Sequence, residues 1–245
     1  MDELVKQIRS RYEQVQERIS KAAQVAGRDP ESVRLVVVTK AKPVEVARAA
    51  IAAGAKVLGE NYPEEGVMKI QSLGSQSGVE WHMIGHVQSR KARMVAENFA
   101  LLHSLDSIKL AKKLNRMAAE AGRVLPVLLE VNVGGETSKY GWVARGQSEW
   151  PALYAPVEEI LDLPNLKLSG LMTMPPWETD PEDARVYFQS LNLLRDHLAS
   201  RYPQAAWHEL SMGTSTDFEV AVQEGATLVR IGTAIVGYRQ MRNGD

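Results

Sequence analysis

Apolar side chains recur at helical spacing near the start of the chain, at Leu4, Ile8, Tyr12, Val15, Ile19 and Ala22. Charges fill the opposite face and Gly27 is a natural stop, so residues 2–27 read as one amphipathic helix. No strand precedes it, which makes it an added layer rather than part of a repeating unit. The pattern then changes. Arg34-Leu35-Val36-Val37-Val38-Thr39-Lys40 is a continuous apolar run rich in β-branched residues, the signature of a strand buried on both faces in a parallel sheet. Pro43 suits the first turn of a following helix, where its missing N–H has no partner to lose.

The same alternation continues to the end of the chain. Strands are expected at Leu35–Thr39, Lys56–Leu58, Glu80–Ile84, Leu101–Ser104, Val127–Val133, Leu166–Met172, Trp207–Leu210 and Thr227–Ile231. Helical patterns lie between them, among them Val44–Ala53, Ser89–Glu97, Ser107–Ala121, Pro181–Ser200 and Asp217–Glu224. Strands alternating with helices predict parallel βαβ units, and eight such units predict a closed barrel. The expected fold class is therefore α/β: a single (β/α)8 TIM barrel over residues 1–245, with residues 1–27 as an extra amino-terminal helix. The competing doubly wound sheet lacks its glycine fingerprint, since no Gly-x-Gly-x-x-Gly follows the first strand. Two turn-rich stretches, Gly134–Gly146 and Pro175–Asp180, follow strands and read as loops of the active rim.

Composition narrows the function classes. Hydrophobic residues at 44% and charged residues at 24% are ordinary for a globular chain. A net charge of -1 carries no footprint for nucleic acid or an anionic membrane. The absence of cysteine excludes disulfides, thiolate metal sites and cysteine nucleophiles. Met1-Asp2-Glu3-Leu4 shows no secretory signal, and no apolar run approaches the roughly 20 residues of a membrane span. A cytoplasmic protein with neither nucleic-acid nor membrane partners is expected.

In a barrel all strand ends converge on one rim, so collecting them collects the site. The set comprises Lys40, Glu60-Asn61-Tyr62, His82 to His86, Asn132, Met172, Ser211-Met212-Gly213-Thr214 and Arg230-Ile231-Gly232-Thr233. Ser211 to Thr216 and Gly232-Thr233-Ala234 follow the seventh and eighth strands, where barrels commonly hold a phosphate on exposed N–H groups. Either loop alone fits simple helix capping equally well; the two together favour phosphate. Arg230 sits inside an apolar run and needs a partner, either a core carboxylate or a ligand atom. Lys40 would adjoin the last strand once the barrel closes. A lysine, a buried arginine and a phosphate cradle on neighbouring strands suit a phosphorylated aldehyde held as a Schiff base, and pyridoxal 5'-phosphate is such a molecule. His82, His86 and His103 do not make a metal centre, because Gly85 interrupts helical spacing and no carboxylate cluster joins them; packing or ligand stacking is expected. Asn61 and Asn132 could position a ring hydroxyl or cap loops. Trp142, Trp150 and Trp177 are expected in loops, as surface anchors or lid elements.

Several runs together resemble the pyridoxal phosphate homeostasis protein family: Val38-Thr39-Lys40-Ala41-Lys42-Pro43, Gly59-Glu60-Asn61-Tyr62, Trp81 to Lys91, Val131-Asn132-Val133 with Ser138-Lys139, Gly170-Leu171-Met172, Leu210-Ser211-Met212-Gly213 and Val229 to Gly237. They occur in register from about residue 30 to residue 239. The resemblance implies a barrel similar to the amino-terminal domain of alanine racemase, with pyridoxal phosphate bound to Lys40 as a Schiff base. It implies phosphate contacts from Ser211, Gly232 and Thr233, with a backbone amide from Gly213. It sets Arg230 opposite the pyridine nitrogen and Asn61 along the ring. It further implies a cofactor carrier, with PLP-dependent apo-enzymes as recipients, and a monomer is expected. Thr39, Ala41, the Tyr140-Gly141-Trp142 turn and Thr214 depart from the usual pattern, and the last bears on the phosphate loop.

An arginine beside the pyridine nitrogen disfavours a second positive charge there, so the ring is a weak electron sink. The second base of a racemase belongs to a carboxyl-terminal domain, and little sequence follows the eighth strand. Racemase-like activity is thus a secondary expectation, and a phosphosugar aldolase using Lys40 a weaker one.

Overall fold

A computed structural model describes residues 1–74 and 78–238; the end of the expected domain, 239–245, lies outside the described residues, as does Arg239, where the resemblance ends. The chain forms β1 (Arg34–Val38), β2 (Val57–Glu60), β3 (Glu80–Met83), β4 (Leu101–Leu105), β5 (Leu125–Asn132), β6 (Trp142–Val143), β7 (Leu166–Met172), β8 (Glu209–Ser211) and β9 (Leu228–Ile231). Its helices are α1 (Asp2–Val25), α2 (Val44–Ala53), α3 (Pro63–Leu73), α4 (Ala92–Asn98), α5 (Ile108–Glu120), α6 (Tyr154–Leu161), α7 (Arg185–Arg201), α8 (Phe218–Gln223) and α9 (Thr233–Val236).

Pairing runs β4-β3-β2-β1-β9-β8-β7-β5, and β4 pairs with β5, so eight parallel strands close into a ring. The seam between first and last strands is in register, with Val36 opposite Arg230 and Val37 opposite Ile231. Strand alternation divides the core. Val36, Val57, Leu101, Leu128, Met172 and Leu228 form a cluster inside the ring. Leu35, Val37, Leu58, Trp81, Met83, Leu210, Val229 and Ile231 belong to the larger shell under the helices. The added helix α1 packs against α2, α8 and α9, which flank that seam. Ile8, Tyr12, Val15 and Ile19 are buried there, and each such side chain contributes about 1.5–3 kcal/mol. Arg18 adds a fork to Glu219 at 2.9 and 2.7 Å while lying over the Phe218 ring.

Three expectations are corrected. The seventh barrel strand is Glu209–Ser211 rather than Trp207–Leu210, because Trp207 turns into the shell and its indole N–H donates to the Tyr202 carbonyl at 2.9 Å. The loop 134–146 is not wholly irregular: Trp142 and Val143 add a two-residue strand to the end of β5. Trp150 is no surface anchor, since it is 7% exposed within the 3-10 helix Gln147–Leu153. Trp142 is half-buried, and Trp177, 78% exposed, does lie in a loop.

Candidate functional site

Lys40 stands two residues beyond β1, in an exposed turn at the rim. Ala41 after it has φ 54, a left-handed turn that swings the chain from strand to helix. The turn is braced from beneath. Lys69 is fully buried, and its ammonium donates to the Thr39 carbonyl at 2.7 Å, to Glu60 at 2.8 Å and to Glu65 at 2.7 Å. The Thr39 hydroxyl donates to the same Glu60 oxygen at 2.6 Å. Burial raises the Glu60 carboxyl while the Lys69 charge opposes the rise. In the sequence, Glu65 and Lys69 look like an ordinary surface i,i+4 pair. The signal for burial is the three-residue spacing of Pro63, Gly66 and Lys69, which share the inner face of α3.

Arg230 on β9 is 5% exposed and points inside the ring. Its guanidinium donates to Ser211 Oγ at 2.5 Å, to the Thr173 carbonyl at 2.9 Å and to Met174 Sδ. Burial lowers its pKa to about 10, with Asp217 and Glu130 opposing at longer range, so it stays charged at neutral pH. The partner it required is therefore a hydroxyl and a carbonyl, not a carboxylate in contact.

Behind Ser211 a column of hydrogen bonds crosses the barrel. Ser211 Oγ meets His103 Nδ1 at 2.8 Å, His103 Nε2 meets His82 Nδ1 at 2.9 Å, and His82 Nε2 meets Glu80 Oε2 at 3.1 Å. Burial lowers the pKa of both imidazoles, His103 the more strongly. His86 stands apart, stacked on Tyr140 at 3.8 Å and bonded to Asp106 at 2.7 Å. Among the described residues no metal-binding cluster of His, Cys, Asp or Glu occurs.

The loops after β8 and β9 meet beside the seam. Gly213 has φ 90, and a side chain there would meet Ala221 Cβ at 2.6 Å. Thr214 turns back on Asp217, whose carboxylate accepts from its amide at 2.6 Å and its hydroxyl at 3.0 Å, and half-buried Ser215 follows. Gly232 lies where a side chain would press on Val38 at 3.3 Å, and Thr233 opens α9, whose first N–H groups face outward from the helical turn. The missing side chains let the first loop pack on α8 and the second lie against the end of β1, two residues before Lys40. Ser211 at the end of β8 is fully buried, and its hydroxyl bonds to Arg230 and His103.

Asn61, half-buried at the end of β2, is pressed from below by Gly85. Asn132 is occupied as a loop cap, receiving the Gly135 amide and donating to the Glu136 carbonyl, each at 2.8 Å. Glu130, inward-facing on β5, has one carboxylate oxygen buried without a partner; burial and Asp106 raise it to about 7. A cavity of about 190 Å³ opens beside it, lined by Asn132, Lys139, Tyr140 and Met174. One of about 450 Å³ adjoins it, lined by Lys139, Trp177, Thr214 and Asp217. Sequence reasoning missed Glu130, which looks like one polar position in an otherwise apolar strand.

The family described as "Alanine racemase, N-terminal domain" matches residues 11–240. The pyridoxal phosphate homeostasis protein of Aquifex aeolicus is 44% identical over 230 residues, covering 94% of this chain and 97% of its own. The solved structure of PipY from Synechococcus elongatus with PLP bound superposes with a TM-score of 0.77 at 33% identity, over 89% of this chain and all of PipY. An alanine racemase from Clostridium difficile shares the fold with a TM-score of 0.71 at 16% identity; 96% of this chain covers 57% of that one. The chain accordingly belongs to the alanine racemase amino-terminal domain family and, within it, to the pyridoxal phosphate homeostasis proteins.

Proposed function

We propose that this protein binds pyridoxal 5'-phosphate on the barrel rim, holds its aldehyde on Lys40 as a Schiff base, and serves cytoplasmic cofactor homeostasis by passing it to PLP-dependent apo-enzymes. It acts as a monomer with little or no catalysis of its own. The observation that carries this reading is the seam: the strand leading to Lys40 pairs in register with the strand holding Arg230 and leading to Gly232 and Thr233. This pairing supports a site in which Lys40 meets the aldehyde from one strand while Arg230 meets the pyridine nitrogen and Gly232 and Thr233 the phosphate from the next.

When bound, the cofactor supplies an aldehyde carbon for condensation with an amine and a ring that can accept electrons. Lys40 provides the amine, presented by the left-handed turn at Ala41. Thr233, Gly232 and Gly213 hold the phosphate through amides and a hydroxyl. For Ser211 the reading changes: its hydroxyl is committed to Arg230, so it supports the ring-facing guanidinium, and Ser215 in the same loop takes the phosphate role. Arg230 faces the ring nitrogen and disfavours its protonation, which weakens the electron sink and favours carriage over racemisation. Asn61 lines the ring.

The test is an absorption spectrum of purified protein mixed with pyridoxal phosphate, before and after borohydride. A Schiff-base band near the visible edge, absent in Lys40→Ala, supports the reading; protein that takes up no cofactor overturns it. Chiral analysis after incubation with single L-amino acids is expected to show no D-isomer above background.

A further inference from the structure

The column behind Ser211 has a direction, and elementary donor counting fixes it. A guanidinium only donates, so Ser211 Oγ accepts from Arg230, and the ionised Glu80 at the far end, which only accepts, sets both ring tautomers so that the Ser211 hydrogen goes to His103 Nδ1. His103 then carries its proton on Nε2 and donates to His82 Nδ1. His82 carries its proton on Nε2 and donates to Glu80. The opposite direction would set a lone pair of His82 against an ionised carboxylate. Glu80 is held ionised by His82 and Arg34, the latter at 3.3 Å. In this direction every hydrogen of the column has an acceptor with both rings neutral.

The two ends differ in environment. Arg230 lies under the rim, whereas Glu80, Arg34 and Glu209 begin their strands and surround the opposite, amino-terminal mouth. A cavity of about 250 Å³ opens there, with His82 at its floor beside Glu80, Arg34 and Glu209. Solvent therefore reaches one end of the column and the proposed cofactor the other.

We propose that His103 and His82 are positioning residues of the cofactor site: with Glu80 they form a one-way column of hydrogen bonds that fixes Ser211 as acceptor and so aims Arg230 at the pyridine nitrogen. This rests on the reading that pyridoxal phosphate binds at the rim. It gives the site an acid limit. Protonating His82 removes the nitrogen that accepts from His103, the column loses its direction, and Arg230 is less firmly held. The groups that face the column are Glu80, Arg34 and Glu209 at His82, and His82, Arg230 and Arg34 at His103; Glu80 and Glu209 favour imidazolium, while the arginines and, for His103, the His82 ring oppose it. Burial outweighs the carboxylates, so the step lies below the ordinary histidine value of 6.5.

Two measurements test this. Nitrogen-15 spectra of the imidazoles in cofactor-free protein at neutral pH are expected to show both rings neutral and protonated on Nε2. A ring protonated on Nδ1, or charged, overturns the assignment whether or not the cofactor binds. Pyridoxal phosphate is then titrated across pH into wild type, His103→Leu and Glu80→Gln. His103→Leu is expected to weaken binding about tenfold and to lose the acid step, while borohydride still traps the cofactor on Lys40. Glu80→Gln retains an acceptor but not a charge, so binding at neutral pH is kept and the step moves to lower pH. Unchanged affinity and pH profile in both variants sinks the column while leaving the carrier reading intact. Failure of wild type to bind sinks the carrier reading instead. If His103→Leu does not fold, the exposed Glu80→Gln decides alone.

Discussion

The ammonium of Lys69 lies 2.7 Å from the carbonyl oxygen of Thr39, the residue immediately before Lys40. A fully buried cation thus fixes the backbone that presents the proposed cofactor lysine, with Glu60 and Glu65 completing its hydrogen bonds.

Lys69→Met is expected to destabilise the protein by roughly 3–5 kcal/mol, because Glu60 is left buried without its cation. Adding Glu60→Gln removes that charge and is expected to recover most of the loss. Urea denaturation with unchanged m value checks both variants. A single mutant within about 1 kcal/mol of wild type would show that the pair is not holding the turn.

Glu130 gives a pH signature of opposite sign to an ordinary salt-bridged carboxylate. Its pKa in the fold is raised from 4.5 to about 7 by burial, so its neutral form is favoured. That contribution is complete below 4.5 and is lost as the pH rises through about 7. Glu130→Gln is therefore expected to match wild type in Tm near pH 4.5 and to exceed it above pH 7, by an amount on the order of a few kcal/mol at most. Tm curves of the two proteins that stay parallel across that range would reject the assignment.

Gly85 permits a close backbone approach at the rim. A side chain at this position would lie 2.4 Å from the Asn61 carbonyl oxygen and 2.7 Å from its Cα. Gly85→Ala is expected to cost about 1–3 kcal/mol of stability and, by displacing Asn61, to weaken pyridoxal phosphate binding. Thermal melts and an absorbance titration measure the two effects separately. Affinity that survives the substitution would remove Asn61 from the site.

Arg230→Gln keeps an amide donor for Ser211 and Thr173 but removes the charge. Binding is expected to weaken by about tenfold or more, the scale of losing one hydrogen bond from a charged group. With the ring nitrogen free to protonate, D-isomer formed from L-alanine should rise above the wild-type level. A variant with wild-type affinity and no racemisation would mean that Arg230 does not face the ring.

The strand and helix alternation was legible because parallel barrel strands are buried on both faces and leave unbroken apolar runs, as at Leu35–Val38. Errors fell where that contrast fails. Trp207 is apolar but belongs to the shell ahead of β8, and Trp142 pairs only because β5 extends past the barrel. Ser211 shows the limit for the site: its place after a strand suggested phosphate, yet strand parity turned its hydroxyl inward to Arg230 and His103.

What the chain alone determined was periodicity and order, which suffice for a ring of eight strands with Lys40, Arg230 and Gly232 at adjoining ends. Those properties are legible because the strand and helix periods repeat along the chain itself. Tertiary structure alone decided which polar groups meet: His82 with His103 across 21 positions, Ser211 with His103 across 108, Lys69 with Thr39 across 30. A hydrogen bond demands alignment within a few tenths of an ångström between segments distant along the chain, and only the closed barrel supplies it.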